Sequence, residues 1–158
     1  MSNFLLYTCC MIEQKHASIV SDRDIAEQLR EVGITPTQQR VQIAEILFSR
    51  PQHLSADQIL AVVNSNGPIA SKATIYNTLG LFARKGLVRE VIVDPSKVFY
   101  DSNTSEHHHF YNLDSGELTD IDAREVMIPN MPELPSNTQP AGVDIIFRIR
   151  KISDSEHS

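Results

Sequence analysis

SKATIYNTLGLFARKGLVREVIVDPSKVFYD, residues 71–101, is the stretch that decides the fold. Ser71 stands where a helix N-cap belongs, and Gly86 where a helix stops. Between them Ile75, Leu79 and Phe82 share one face at helical spacing. Ala73, Tyr76, Asn77, Gly80 and Arg84 share the other, which is small and polar toward its N-terminal end, as entry into a DNA groove requires. LVREVIV, the turn Asp94-Pro95-Ser96-Lys97 and VFYD then read as a hairpin. A helix closed by a two-stranded ribbon is the second half of a winged helix-turn-helix, whose last helix enters the major groove.

Upstream, the sequence predicts three more short helices. Ile25, Leu29 and Val32 form a stripe that ends at Gly33. In TPTQQRVQIAEILFSR, Thr35 is the expected N-cap, Pro36 the first helical residue and Gln38 the capping-box partner, with Val41, Ala44, Leu47 and Phe48 facing inward. Ser55 and Gln58 form a second capping box ahead of Ile59, Leu60 and Val63, and Asn66-Gly67-Pro68 is a strong breaker.

After residue 105 the period changes from helix to strand. HHHFYNL and ELTDI are expected strands around Asp114-Ser115-Gly116, and DAREVM supplies one helical turn. Pro129, Pro132, Pro135 and Pro140 forbid a long helix. GVDIIFRIRKI alternates, with Val143, Ile145, Phe147 and Ile149 on one face. Three strands with so little helix need a second copy of the chain to cover them, so a dimerisation domain is expected. The fold class is therefore α+β: a winged-helix DNA-binding domain over residues 19–101, then a small α/β dimerisation and ligand-sensing domain over 102–152. Residues 1–18 and 153–158 read as tails.

The chain has 158 residues, 41% of them hydrophobic and 22% charged, which suits a globular protein. No stretch approaches the roughly 18 apolar residues of a membrane helix, and the first residues lack the basic start and cleavage site of a signal peptide. The only cysteines, Cys9 and Cys10, are adjacent and make neither a disulfide framework nor a zinc knuckle. A cytoplasmic location with no membrane partner is the expectation. The net charge of −6 is unevenly spread: residues 1–100 carry ten Lys/Arg against nine Asp/Glu, and residues 101–158 four against eleven. Only the first half needs to meet DNA phosphates.

Side chains alternate along a strand, so His107 and His109 share a face and His108 points to the other. Two imidazoles so placed can chelate one ion, and carboxylates nearby favour iron or manganese. Asp120 on the partner strand, Asp101 just upstream and His53 from the helical half are the further candidates, and a site joining both halves would set their relative angle. Haem is the other ligand this run could hold, on His107, His108 or His109, with Phe110 and Tyr111 helping to line a slot.

LREVGITPTQQR, HLSADQI, SKATIYNTLGLFARKGLV and EHHHFYNLDSGEL, in this order, resemble the ferric uptake regulator (Fur) superfamily over roughly residues 25–121. The HHH run, YNTL, and Asn112 and Ser115 where typical members carry a C-x-x-C zinc motif, are similar to the iron response regulator (Irr) branch. The resemblance implies a homodimeric repressor that binds double-stranded operator DNA. It implies control of iron homeostasis and haem-synthesis genes according to haem or iron status. It places the regulatory ion (Fe, Mn or Zn) on His53, His107, His109 and Asp120, with a remaining carboxylate that aligns with Tyr100 or is replaced by Asp101. A second metal site would use Glu106, His108 and Glu125. The implied DNA contacts are Ala73, Thr74, Tyr76 and Asn77 near base edges, with Arg40, Lys72 and Arg84 on phosphates. The competing expectations are a peroxide- or metal-sensing repressor of the same superfamily, a metal-buffering protein without DNA function, and a small metal-dependent hydrolase.

Overall fold

The polypeptide, seen here as a computed structural model that describes residues 22–130 and 132–152, begins with helices and ends with strands. The helices are α1 (Asp22–Glu31), α2 (Gln38–Phe48), α3 (Ala56–Val63) and α4 (Lys72–Arg84). The strands are β1 (His53–Ser55), β2 (Arg89–Asp94), β3 (Lys97–Asp101), β4 (His107–Asn112), β5 (Leu118–Asp122) and β6 (Ile146–Ile149). The tails expected at 1–18 and 153–158 lie outside the described residues.

Local chemistry sets the helix ends. Ser71 accepts the Thr74 N–H at 3.1 Å and starts α4. Gly86, at φ +72°, lets the chain leave α4 in the left-handed region. The α3 capping box is complete: Gln58 N–H donates to Ser55 Oγ at 3.2 Å, and Ser55 N–H to Gln58 Oε1 at 2.8 Å. The α2 cap differs from the expectation. Thr37, not Thr35, is the N-cap and accepts from Arg40 N–H, while the Arg40 guanidinium takes the Thr35 carbonyl at 2.8 Å. Thr37 itself is extended, at φ −103° and ψ 159°, and the helix starts only after it.

Ile25 and Leu29 of α1, Ile43 and Leu47 of α2, Ile59 of α3, and Ile75, Leu79 and Phe82 of α4 form the main core. Ile43 takes an inward place that the sequence pattern gave to Val41 and Phe48, which only pack against its margin. Against these helices lies an antiparallel sheet in the order β1-β3-β2. The result is a winged helix with one more strand than the hairpin itself supplies.

The second sheet has the order β5-β4-β6, with β4–β5 antiparallel and β4–β6 parallel. A parallel pair needs a long crossover. Here residues 123–145 provide it, with a single 3-10 turn at Ala123–Glu125 and irregular chain elsewhere among the described residues. The four prolines account for the missing crossover helix. The last strand is shorter than the alternation from residue 142 suggested, because β6 pairs with β4 only from His109↔Ile146 to Asn112↔Ile149.

A small second core joins the sheets. Val91, Val93 and Phe99 of the wing meet Tyr111, with Leu118 and Ile146 at its edge. Lys97 Nζ donates to the Tyr111 hydroxyl at 2.9 Å and lies over the Phe99 and Tyr111 rings. The opposite face of the second sheet leaves Phe110, Phe147 and Ile149 about two-fifths exposed, with the two phenyl rings 5.7 Å apart.

Candidate metal centre

Three backbone registers bring five side chains together. The short strand β1 pairs with β3 so that His53 stands opposite Asp101. The chain then crosses residues 102–106 and enters β4, where alternation turns His107 and His109 to the same side. The β4–β5 register sets Asp120 opposite His109. One donor atom from each of these five residues lies within 4.8 Å of all the others, and among the described residues no other such group of His, Cys, Asp and Glu converges.

The distances suit a single cation. His107 Nε2 is 3.0 Å from His109 Nε2 and 2.8 Å from Asp101 Oδ2. His53 Nε2 is 2.8 Å from Asp120 Oδ1 and 3.5 Å from Asp101 Oδ2. Ligands bound at about 2.1 Å sit about 3 Å apart when adjacent and about 4.2 Å apart when opposite. Two imidazole lone pairs at 3.0 Å repel unless a proton or a metal lies between them. His53 Nε2 is buried and has no well-aligned hydrogen bond despite its acidic neighbours, so its contact with them is electrostatic. These are the properties of a ligand set.

The electrostatics agree. Burial works against the charge on Asp101, but His109, His53 and the Asn103 backbone N–H hold its carboxyl well below the usual carboxylate range. Burial also opposes a charged His53, yet Asp101 and Asp120 outweigh it, and the net shift is upward from 6.5. Asp101 and His109 are almost wholly buried, whereas the Asp120 side chain is 35% exposed and gives the cluster its opening to solvent.

Neighbouring groups orient the donors. His107 Nδ1 donates to the Ser105 carbonyl at 2.8 Å, which leaves Nε2 as the free lone pair. Arg89 donates to that same carbonyl at 2.8 Å and pairs with Asp144 on the crossover. The Asn103 backbone N–H takes Asp101 Oδ1 at 2.8 Å, and its side-chain amide takes Asp120 Oδ2 at 3.2 Å. The sequence reading missed Arg89, Asn103 and Ser105, since each acts through hydrogen bonds that no spacing rule reveals.

The choice between Tyr100 and Asp101 is settled by register. Tyr100 pairs with Leu54 and joins the main core, while Asp101 faces the histidines. His108 turns the other way, and its buried Nδ1 has no partner. Glu106 and Glu125 are exposed and do not converge with it, so the second metal set is not assembled. No common haem face forms from the three histidines either. His107 and His109 belong to the five-donor cluster, and the neighbouring cleft of about 670 Å³ is lined by His107 and His108 but not by His109.

On α4, Ala73, Tyr76 and Asn77 are exposed on one face. Thr74 is half buried, with its hydroxyl 2.9 Å from Ser71 Oγ, and so belongs to the cap. Lys72 pairs with Asp57 at 2.9 Å, both largely exposed, and its ammonium lies over the Tyr76 ring. Surface pairs of this kind are weak, so Lys72 can exchange Asp57 for a phosphate. Arg40 is half buried and lines a shallow cleft with Thr74 and Asn77, and Arg84, in the last turn of α4, is exposed.

Comparison with known proteins agrees with this architecture. The ferric uptake regulator family model matches residues 31–134. The peroxide operon regulator of Bacillus subtilis (strain 168) is 34% identical over 99 residues, covering 63% of this chain and 68% of that protein. The peroxide-responsive repressor PerR of Staphylococcus aureus (strain Mu50 / ATCC 700699) is 37% identical over 93 residues, covering 59% of this chain and 63% of the relative. Among solved structures, the ferric uptake regulator from Pseudomonas aeruginosa with manganese superposes with a TM-score of 0.59 at 24% identity, covering 80% of this chain and 97% of that one. The two curated relatives are peroxide regulators, so they support the superfamily and not the finer iron response regulator branch. The chain belongs to the ferric uptake regulator family, a family of transcription regulators and not of enzymes.

Proposed function

We propose that this chain is a metal-responsive transcription repressor whose divalent ion, iron or manganese, is held by His53, Asp101, His107, His109 and Asp120. The observation that carries the reading is the convergence of these five donors from both sides of residues 102–106. Three imidazoles with two carboxylates favour iron or manganese over metals that prefer thiolate. His53 and Asp101 belong to the winged-helix half (residues 19–101), and His107, His109 and Asp120 to the sheet-forming half (residues 102–152). Drawing them together fixes the angle between the halves. In a dimer paired through the Phe110–Phe147 face, that angle sets the separation of the two α4 helices and hence the fit to two operator half-sites. Ala73, Tyr76 and Asn77 would meet base edges, and Lys72, Arg40 and Arg84 phosphates.

The relatives' names point to peroxide as a signal, and the donor set is compatible with it. Bound ferrous iron would supply one-electron reduction of peroxide beside the ligand imidazoles. The test uses operator-fragment binding followed by fluorescence anisotropy, with metal-free, Mn(II)-loaded and Fe(II)-loaded protein. Mn(II) and Fe(II) are expected to promote binding. Peroxide should release only the Fe(II) form and add oxygen mass to a peptide containing His53, His107 or His109. Equal binding by all three forms would overturn the reading.

Haem as the signal has less support, because His108 is the one histidine of the run that lines the cleft without also belonging to the donor cluster. Titration with haemin distinguishes the two: a Soret band together with DNA release, both abolished in His108→Ala, would replace the bare ion with haem.

A further inference from the structure

Residues 102–106 do more than connect the two halves, and Asn103 is central to them. Its Oδ1 accepts from both Ser105 N–H (3.2 Å) and Ser105 Oγ–H (2.6 Å). With that oxygen committed, the amide nitrogen is turned outward, and it donates to Asp120 Oδ2 at 3.2 Å. The backbone N–H of the same residue donates to Asp101 Oδ1 at 2.8 Å. One residue thus occupies the distal oxygen of both carboxylates. Asp101 Oδ2 and Asp120 Oδ1 remain as the atoms that face the imidazoles. Asp101 is also fixed by burial, whereas Asp120 is the more exposed carboxylate and has no comparable support.

We propose that Asn103 is a positioning residue that keeps Asp120 a one-oxygen ligand, with its other oxygen withheld from the ion, and so sets the affinity and coordination number of the centre. This inference rests on the five-residue metal reading above. A carboxylate with both oxygens free can turn to chelate through both or swing into solvent, so loss of the amide is felt at the metal. Ser105 serves the same end twice: its N–H and hydroxyl hold the Asn103 side chain, and its carbonyl takes His107 Nδ1–H. Outer partners of this kind typically change metal affinity by about 10- to 100-fold.

The experiment titrates cobalt(II) into the full chain and reads both the dissociation constant and the ligand-field bands. The proteins compared are wild type, His109→Ala, Asn103→Leu, Ser105→Ala, Asp120→Ala and the double variant Asn103→Leu/Asp120→Ala. Asn103→Leu keeps the backbone N–H and the approximate volume while removing the amide. It should weaken binding about 10- to 100-fold and shift the bands toward a different coordination number. Ser105→Ala should move both readouts the same way by less, and it decides the matter if Asn103→Leu does not fold. In the Asp120→Ala background, Asn103→Leu should have no further effect, because the carboxylate it acts through is gone. An unchanged affinity and spectrum in Asn103→Leu, or an equal loss with and without Asp120, overturns the role of Asn103 and leaves the centre intact. Wild-type protein that binds no cobalt, or His109→Ala that binds it as wild type does, overturns the metal centre itself, and the role of Asn103 with it.

Discussion

His53 and Asp101 are direct cross-strand partners in the β1–β3 pair, and this pairing anchors the winged-helix side of the cluster. Asp101 is the last residue of β3, so the carboxylate lies at the boundary where the chain turns toward the second sheet. A three-residue strand contributes little stability of its own. Its consequence is geometric: it delivers an imidazole from the exit of α2 to a site otherwise built by β3, β4 and β5.

Removing a ligand should cost more than removing an outer partner. His53→Ala and His109→Ala are each expected to lower Mn(II) affinity by more than about 100-fold, the upper range for outer-shell changes. Metal-dependent DNA binding should be lost with it. Isothermal titration and anisotropy with an operator fragment check the two halves of this prediction.

Acidity should act in opposite senses on the free and loaded proteins. The pKa of His53 in the folded metal-free protein is raised above 6.5. Its pairing with Asp101 and Asp120 therefore stabilises that form fully below the unfolded value and is lost as pH rises through the folded one. Metal must displace that proton, so affinity increases over the same rise. Asp101, with its pKa depressed, contributes above its unfolded value, and that contribution disappears as pH falls toward strong acid. Melting curves with and without Mn(II) from pH 5.5 to 8.5 should show the gain from metal growing with pH, while the His53 contribution to the metal-free protein declines.

The DNA contacts proposed for the exposed face of α4 are of two kinds. Lys72→Ala should weaken all sequences about equally and reduce the salt slope by about one. Tyr76→Ala should cost about 1–3 kcal/mol on the operator and much less on unrelated DNA. Anisotropy titrations at several salt concentrations distinguish these outcomes.

A charge on the uncovered sheet face should break the dimer proposed to form through it. Phe147→Asp places a carboxylate beside Phe110, 5.7 Å away between ring centres in the native pair. Losing an aromatic anchor of this kind costs about 2 kcal/mol or more, roughly thirtyfold in dimer dissociation. Sedimentation equilibrium gives the answer, and an unchanged mass average would remove this face as the interface.

In the main core, Phe82 is fully buried and stacks on Phe48 at 6.4 Å. Phe82→Ala is expected to destabilise the winged helix by about 3–5 kcal/mol, measurable by urea unfolding.

Helical periodicity around Ile75, Leu79 and Phe82, the Ser71 cap and the hairpin turn made α4 and the wing legible from residue order, because they depend on neighbours within a few positions. Strand alternation likewise separated His107 and His109 from His108. The α2 start was misread by two residues because Thr35 and Thr37 are equally good caps in sequence, and the Arg40 contacts choose between them. Residue order alone determined which side chains could serve as donors and which local elements carry them. Only tertiary structure decided that Asp101, and not Tyr100, joins them, that His53 reaches the site through β1, and that Asn103 holds both carboxylates. Those choices depend on strand register and on hydrogen bonds across a loop, which are set by packing between distant segments and leave no periodic trace in the chain.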